Sequence, residues 1–194
     1  MWMDVRATEQ AARAENSESV ARLYNGAGAS PATAEWYPFK AAWLREHEPE
    51  TYRKAAHLVD APDWVTFKLT GEWTTNINSA AIRMYYNRDK GGWPEDFYQT
   101  IGCGDVFDKI PERVLDLGTP VGTLATIPAQ LLGLRPGIPV AQGLADAWAG
   151  QIGLGVLSAG SMALITGSSH VLTGQADTEI HGEGFFGAYP DGVM

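Results

Sequence analysis

The sequence has 194 residues, 45% of them hydrophobic, which is enough for one ordinary domain or for one domain and part of another, and its composition is not that of a disordered chain. The formal net charge is −9 and no stripe of Lys and Arg occurs, so nucleic-acid binding is excluded as the main role. The single cysteine, Cys103, excludes a disulfide within the chain and a cysteine zinc site, and no apolar run is long enough to span a bilayer, so a cytoplasmic protein is the default expectation.

Helices are predicted for much of the first half of the sequence, where Pro and Gly mark their starts and ends. The predicted helices cover 9–23, stopped by Gly26; 31–44, started by Ser30-Pro31; 60–71, opened by Asp60 and Pro62 and closed by Gly71; and 94–101, started by Pro94. The polar stretch 74–81 (TTNINSAA) predicts a loop or a helix cap rather than a core element.

Strands appear in the second half of the sequence. A short strand is predicted at 119–124, a helix at 129–134 that ends at Arg135-Pro136-Gly137, buried strands at 138–143 and 162–166, and a returning strand at 171–173. A helix is predicted to begin near Asp146 and to run through Trp148 and Ile152. The glycine-rich stretch 153–160 predicts a crossing between layers or domains, with the main boundary near Val156.

Asp146 is the first candidate for chemistry. It follows a predicted buried strand and stands at the start of a helix, where the helix dipole favours a negative charge and a ligand can approach. Phosphoryl transfer needs a group of this kind to accept the proton of the attacking hydroxyl. Asp is also a favoured helix cap, and by local pattern alone the capping interpretation is preferred.

Two further patterns have ordinary alternatives. The turn Gly167-Ser168-Ser169 between two apolar runs can cradle phosphate oxygens, but such turns also close ordinary hairpins. At the start of the sequence, the pattern WMDVR (2–6) suggests a strand with Asp4 and Arg6 at its end, where they could bind sugar hydroxyls. The alternative for Asp4 and Arg6 is a solvated ion pair at a frayed terminus.

The order of several motifs identifies a family. They are WMDVRA (2–7), AAWLREHEPETY (41–52), DAPDWVTFKLTG (60–71), GTPVGTL (118–124), LLGLRPGIPVAQGLADAWAGQIGLG (131–155) and the turn TGSS (166–169). Together they cover most of the chain in one order. The chain resembles the FGGY carbohydrate kinases of the actin-like ATPase superfamily, and WMDVRA with the Trp-rich helix near Trp36 favours the ribulokinase and pentulose-kinase branch over the glycerol kinases.

The resemblance implies a role for individual residues. Asp146 falls on the catalytic Asp of the family's G-x-x-D-A segment, and Gly167, Ser168 and Ser169 fall on the turn that touches the ATP phosphates. Asp4 and Arg6 fall on a strand near the bound sugar. Arg83 stands where pentulose-kinase relatives tend to have a substrate-contacting Lys; it keeps the charge but not the geometry, and surface ion pairing is the alternative.

The resemblance also implies the fold, the domains and the ligands. The expected fold is α/β, an incomplete ribonuclease-H-like domain at 1–156, the later part of a sugar-binding domain, followed at 157–194 by the first hairpin of a second, ATP-binding domain. The family's D-x-G-T phosphate loop and its adenosine-binding glycine motif do not occur in these residues, so this sequence alone is expected not to turn over. ATP, Mg²⁺ and a pentulose or pentitol are the implied ligands; D-ribulose, L-ribulose, ribitol and xylulose all stay open.

Homodimers are common among such kinases, so a second copy of the chain also stays open as a partner.

Two functions from other classes stay open. A non-catalytic sugar-binding or regulatory protein would keep the sugar pocket and lack the ATP loops. A glycoside hydrolase would need a second carboxylate roughly 5 to 10 Å from Asp146, and the sequence has no obvious candidate. The seven Trp and seven Tyr residues suit a carbohydrate site, and they suit a core equally well.

Overall fold

A computed structural model describes residues 3–167, 170–190 and 192. The helices are α1 (Thr8–Arg13), α2 (Tyr37–His47), α3 (Pro49–Lys54), α4 (Ala61–Thr70), α5 (Ile77–Met84), α6 (Glu95–Thr100), α7 (Thr126–Leu132) and α8 (Asp146–Gly153). Short 3₁₀ turns lie at Ala14–Asn16, Val20–Tyr24, Gly26–Gly28, Arg88–Lys90 and Gly104–Lys109. The strands are β1 (Thr75–Asn76), β2 (Val114–Leu115), β3 (Pro120–Thr123), β4 (Pro139–Ala141), β5 (Met162–Thr166) and β6 (His170–Gly174).

Helix α4 begins and ends where the sequence predicts. Asp60 is its N-cap residue, Pro62 lies in its first turn, and Gly71 ends it with a φ of 82°. A left-handed φ of this kind is readily adopted only by glycine, so the helix cannot continue beyond it. The helices predicted from Pro94 and from Asp146 are confirmed as α6 and α8.

The predicted limits of two early helices are wrong. The predicted helix 9–23 stops at Arg13 and gives way to 3₁₀ turns, because Ser17 is extended and the hydroxyl of Ser19 accepts a hydrogen bond from the amide of Ala21 instead. Helix α2 begins at Tyr37 rather than at Pro31. A helix started at Pro31 would place Pro38 in its interior, where proline removes a hydrogen bond and clashes with the preceding turn.

The stretch 74–81 is a core element, so its prediction as a loop outside the core is wrong, whereas the alternative prediction of a helix cap is confirmed by Asn76. It forms β1 and the first part of α5, and all of its residues are buried. The side chain of Asn76 caps α5 by accepting the amide of Ser79 at 2.7 Å. The small side chains Ser79, Ala80 and Ala81 let α5 lie deep in the molecule, and their polarity hides this in the sequence.

The described strands pair as three two-stranded sheets: β1 with β2 in parallel, and β3 with β4 and β5 with β6 antiparallel. The four predicted strands in the second half are therefore confirmed as strands, but the burial predicted for 138–143 and 162–166 is wrong for most of their residues. In β5 the side chain of Ala163 is buried while its neighbours Met162 and Leu164 are exposed, because successive side chains point to opposite faces. Pro139 and Ala141 of β4 are exposed as well.

The core lies between α1, α2, α5 and α6 and is rich in aromatic side chains. Phe39, Phe97 and Tyr98 are fully buried, and Tyr85 stacks on Trp36 with ring centroids 5.3 Å apart. Most of this aromatic content therefore packs the core, and the same packing sets α2 and α5 side by side. In the part of the chain that the structure describes, no helix has the length and apolar character needed to cross a membrane.

Candidate functional site

A cleft of about 580 Å³ opens between α2 and α5. The segment that leads into α4 closes one side, and the residue before α8 closes another. The lining residues are Glu35, Tyr37, Lys40, Ala41, Leu44, Leu58, Val59, Asp60, Ala61, Pro62, Ser79, Arg83 and Ala145. The volume is within the range of small-molecule sites, and the walls mix apolar surface with a few polar groups, as such sites do.

Helix α5 contributes Ser79 and Arg83, which are one turn apart and therefore face the same side. The Nε of Arg83 lies 3.5 Å from Oδ2 of Asp60, and its Nη2 donates to the carbonyl of Glu35 at 3.5 Å. Both contacts are long for such bonds, so Arg83 keeps hydrogen-bonding capacity for a ligand. Asp60 makes no side-chain cap on α4 and faces Arg83 instead.

Helix α2 contributes Tyr37 and Lys40. The hydroxyl of Tyr37 donates to the carbonyl of Leu58 at 2.8 Å, which fastens the segment before α4 to α2. Burial raises the pKa of Tyr37 well above its usual value, so this hydroxyl keeps its proton. Burial and the nearby charge of Arg83 lower the pKa of Lys40, while Asp4 and Asp60 act in the opposite direction.

The charges on the cleft wall balance. Lys40 and Arg83 are cationic, while Glu35 and Asp60 are anionic, and Ser79 adds a neutral hydroxyl. Such a wall offers donors and acceptors together without a net field that would favour an ion. It suits an uncharged ligand with several hydroxyl groups.

Asp146 is the first residue of α8 and is exposed. It is not itself part of the cleft wall, but Ala145, directly before it, is, so the backbone of Asp146 lies at the edge of the cleft. Its Oδ1 accepts a hydrogen bond from the amide of Ala147 at 2.8 Å. The residue that precedes the helix, Ala145, has no side chain able to cap it. Asp146 therefore supplies a carboxylate at a helix start beside a polar cleft.

Asp4 and Arg6 lie beside each other, but outside the cleft wall. Arg6 donates from Nε and Nη2 to the two carboxylate oxygens of Asp4 at 2.9 and 2.7 Å, and its guanidinium lies 4.2 Å from the ring centre of Trp43. The hydrogen bonds from Arg6 hold the pKa of Asp4 well below its usual range. The strand predicted here is wrong: Asp4 also accepts the amide of Arg6, a local turn that replaces strand pairing.

The predicted phosphate turn is only partly within the described residues. Gly167 follows β5 and is exposed, whereas Ser168 and Ser169 lie outside the described residues. The β5–β6 hairpin packs against α8: a Cβ on Gly150 would lie 3.2 Å from Cδ1 of Ile165. Glycine at position 150 thus lets the helix that begins at Asp146 approach the strand that leads to Gly167.

Sequence patterns missed several residues of the cleft, among them Lys40, Asp60 and Ser79. The sequence indicates only a helix start for Asp60, and only a loop or helix cap for the stretch that contains Ser79. The spacing of Ser79 and Arg83 is a helical one and could have shown that both share a face, had α5 been recognised. Nothing in the sequence alone brings Lys40 to them, because α2 and α5 are far apart along the chain.

A magnesium site requires several oxygen ligands around the ion. Across residues 3–167, 170–190 and 192, no group of three or more His, Cys, Asp and Glu side chains is arranged to hold a metal ion. The described residues therefore do not fit a magnesium site. The mechanism proposed below uses no metal ion bound by these residues.

Comparison with known proteins agrees with this architecture. Residues 1–153 match the "FGGY family of carbohydrate kinases, N-terminal domain". The chain is 33% identical to an "FGGY carbohydrate kinase domain-containing protein" of Xenopus laevis, over 97% of this chain and 37% of that protein. It is 30% identical to a protein of Anoxybacillus flavithermus named "Ribulokinase", over 84% of this chain and 29% of that protein.

A solved structure shares the fold. The crystal structure of xylulose kinase from Rhodospirillum rubrum superposes on this chain with a TM-score of 0.74 at 21% identity, over 91% of this chain and 37% of that one. The expected α/β, ribonuclease-H-like architecture is thereby confirmed in its partial form. The chain spans about a third of the length of the curated relatives it matches. The family resemblance is confirmed, and the chain belongs to the FGGY family of carbohydrate kinases.

Proposed function

We propose that the protein takes part in the ATP-dependent phosphorylation of a sugar hydroxyl, with Asp146 as the general base. The observation that carries the proposal is the position of Asp146 at the start of α8, at the edge of a cleft whose wall includes the residue before it. A carboxylate there can accept the proton of a hydroxyl held in the cleft. Family membership supplies the reaction class.

The cleft supports a neutral polyol as the substrate. Its balanced charges disfavour a sugar that already carries a phosphate, and Arg83 and Ser79 offer donors to hydroxyl oxygens. Within that class, a pentulose or pentitol, ribulose-like in its hydroxyl pattern, is the proposed substrate. The support is that a similar protein is named "Ribulokinase". Asp4 and Arg6 stay proposed contacts to the same sugar. Arg6 lies against Trp43 of α2, so these contacts would come from the α2 side of the cleft.

The proposed contacts to the ATP phosphates are Gly167, Ser168 and Ser169, of which Gly167, directly after β5, is within the described residues. Packing of the β5–β6 hairpin against α8 supports this, because it links the turn to the helix that carries the base. ATP would supply the phosphoryl group, and any Mg²⁺ would come with the ATP as part of the substrate, where it would neutralise the phosphate charge. A division into a sugar-binding part, 1–156, and the start of an ATP-binding part, 157–194, is also proposed; the end of the family match at residue 153 supports it.

A coupled assay tests the function. The polypeptide read from the complete open reading frame is incubated with ATP, Mg²⁺ and, one at a time, D-ribulose, L-ribulose, D-xylulose, ribitol and glycerol, and ADP release is measured. We expect ADP formation with a pentulose or pentitol and little with glycerol. Binding of a pentulose without ADP formation from any sugar would favour the non-catalytic sugar-binding protein instead.

Arg83 gives a prediction about the binding of the sugar. Arg83→Ala is expected to raise the Kd of the preferred sugar about tenfold or more, since a hydrogen bond to a charged group contributes roughly 1.5 to 3 kcal/mol. Arg83→Lys keeps the charge but not the planar fork, so it should recover part of the affinity. Isothermal titration calorimetry with the preferred sugar measures both.

The matched control is Arg88→Ala. Arg88 pairs with Asp116 at an exposed position and is not part of the cleft wall, so its loss should leave the Kd unchanged. An unchanged Kd for Arg83→Ala would show that Arg83 serves only its pair with Asp60.

A further inference from the structure

Asn78 connects α5 to the start of α8. It is the second residue of α5, and its side chain is almost fully buried, with 1% of the residue exposed. Its Oδ1 accepts a hydrogen bond from the amide of Ala145 at 3.1 Å. Its Nδ2 donates to the carbonyl of Gly192. Both ends of this buried amide are therefore bonded to backbone from elsewhere in the chain.

The peptide that Asn78 holds is the one next to Asp146. Ala145 is the N-cap residue of α8, and with no polar side chain it cannot fix the helix start by itself. Asp146 fixes only the local orientation of its own carboxylate, through the amide of Ala147. The hydrogen bond that Asn78 accepts from the amide of Ala145 thus ties the start of α8 to α5.

The same helix carries residues of the cleft wall. Ser79 follows Asn78 directly, and Arg83 is one turn further along α5. A single rigid helix therefore presents groups that face the ligand and also holds the backbone that carries the carboxylate. Buried, bonded supporting groups of this kind keep a reacting group in place to a fraction of an ångström.

We propose that Asn78 is a positioning residue that sets the distance between Asp146 and a sugar bound in the cleft. The inference rests on the proposed function, because it needs Asp146 to be the base. Displacement of a reacting group by about 1 Å can cost a factor of about a hundred in rate. Loss of the Asn78 bond should therefore act on kcat more than on binding of the sugar.

Two variants remove the same hydrogen bond from its two sides. Asn78→Ala removes the acceptor. Ala145→Pro removes the donor, and the φ of −68° at Ala145 is one that proline adopts without strain. Thr75→Val is the matched control, because it also removes a buried hydrogen bond, from Oγ1 of Thr75 to the carbonyl of Pro111 at 2.9 Å, away from the cleft.

The variants are assayed in the complete open reading frame with the preferred sugar. We expect Asn78→Ala to lower kcat roughly ten- to a hundredfold with the Kd of the sugar changed less than about threefold. The double variant Asn78→Ala/Ala145→Pro should be no slower than the worse single variant, while Thr75→Val keeps kcat within about twofold. If Asn78→Ala does not fold, Ala145→Pro is compared with Thr75→Val in the same way.

Two results would overturn the inference. One is an equal loss of kcat in the Asn78 or Ala145 variant and in Thr75→Val, which would mark general destabilisation. The other is losses of Asn78→Ala and Ala145→Pro that multiply in the double variant, because independent effects do not come from one shared bond. Absence of turnover in the wild-type protein would instead reject the proposed function itself.

Discussion

Replacement of Asp146 by Asn is expected to lower kcat for phosphorylation of the sugar by roughly 10²- to 10⁴-fold, the range that a general base contributes. Asn is nearly the same size, and its carbonyl can still accept the amide of Ala147 that orients Asp146. The start of α8 should therefore be unchanged in shape, while the group that accepts the proton is lost. The Kd of the sugar should change less than about threefold.

The measurement separates chemistry from binding. ADP release by the protein from the complete open reading frame gives kcat, and calorimetry gives the Kd of the sugar. Asp108→Asn is the matched control: Asp108 is an exposed carboxylate in the 3₁₀ turn Gly104–Lys109, away from the cleft wall, and its loss should leave both values unchanged. Near-normal turnover of Asp146→Asn would remove Asp146 from the reaction. A parallel loss of sugar affinity would make it a binding residue.

The sequence predicted best where the determinants are local. The limits of α4 follow from Asp60, Pro62 and Gly71, all within or next to the helix they delimit. The hairpin of β5 and β6 follows in the same way from two apolar runs around a short turn. In each case a residue's own conformational preference decides the outcome, so distant contacts add little.

The prediction of a loop at 74–81 is wrong because of contacts with residues far along the chain. TTNINSAA looks like a loop because Asn, Ser and Thr favour turns when their side chains can bond to nearby backbone. Here the same side chains find buried partners far along the chain: Asn78 bonds to Ala145, and Asn76 bonds to Asp63. Hydrogen bonds to those partners offset the cost of burying a polar segment. The local sequence pattern does not show that such partners exist.

The candidate site was predicted in part for the same reason. Asp146 could be singled out by its family motif, whereas its place beside a cleft depends on how α2 and α5 pack together. The family resemblance points to Arg83 but not to its partner Asp60, because the two side chains meet only in the folded chain. Lys40 and Ser79 carried no signal of function in the sequence.

A second large effect is expected at Asp63, a carboxylate of α4 with 1% of the residue exposed. Its Oδ1 accepts hydrogen bonds from the amide and Nδ2 of Asn76, both at 2.9 Å, and from Nε2 of Gln142 at 2.8 Å. These bonds join α4, β1 and the end of β4, just ahead of Asp146. Asp63→Ala would leave these buried donors without an acceptor, and we expect it to lower the free energy of unfolding by at least about 3 kcal/mol.

Ionisation of Asp63 lowers the free energy of unfolding, whereas its hydrogen bonds raise it. Burial raises the pKa of this carboxyl to about 6, although the hydrogen bonds from Asn76 and Gln142 oppose the rise. In the unfolded chain the group has its ordinary pKa of 3.8. Between these values the folded protein binds more protons than the unfolded one. The contribution of Asp63 to stability is therefore complete below about pH 4 and is lost as the pH rises through 6.

Asp63→Asn separates the two effects, because the amide keeps an acceptor for the same donors and cannot ionise. We expect the free energy of unfolding of Asp63→Asn to equal that of the wild type near pH 4 and to exceed it by about 2 to 3 kcal/mol near pH 7.5, since one pKa unit corresponds to about 1.4 kcal/mol. Urea unfolding of the 194-residue chain, followed by tryptophan fluorescence across this pH range, measures the difference. Other titrating groups cancel in the comparison of the two proteins.

A constant difference across the range would mean that Asp63 does not change its protonation on folding. A difference that grows as the pH falls would mean that the donors around Oδ1 outweigh burial and hold the carboxylate charged.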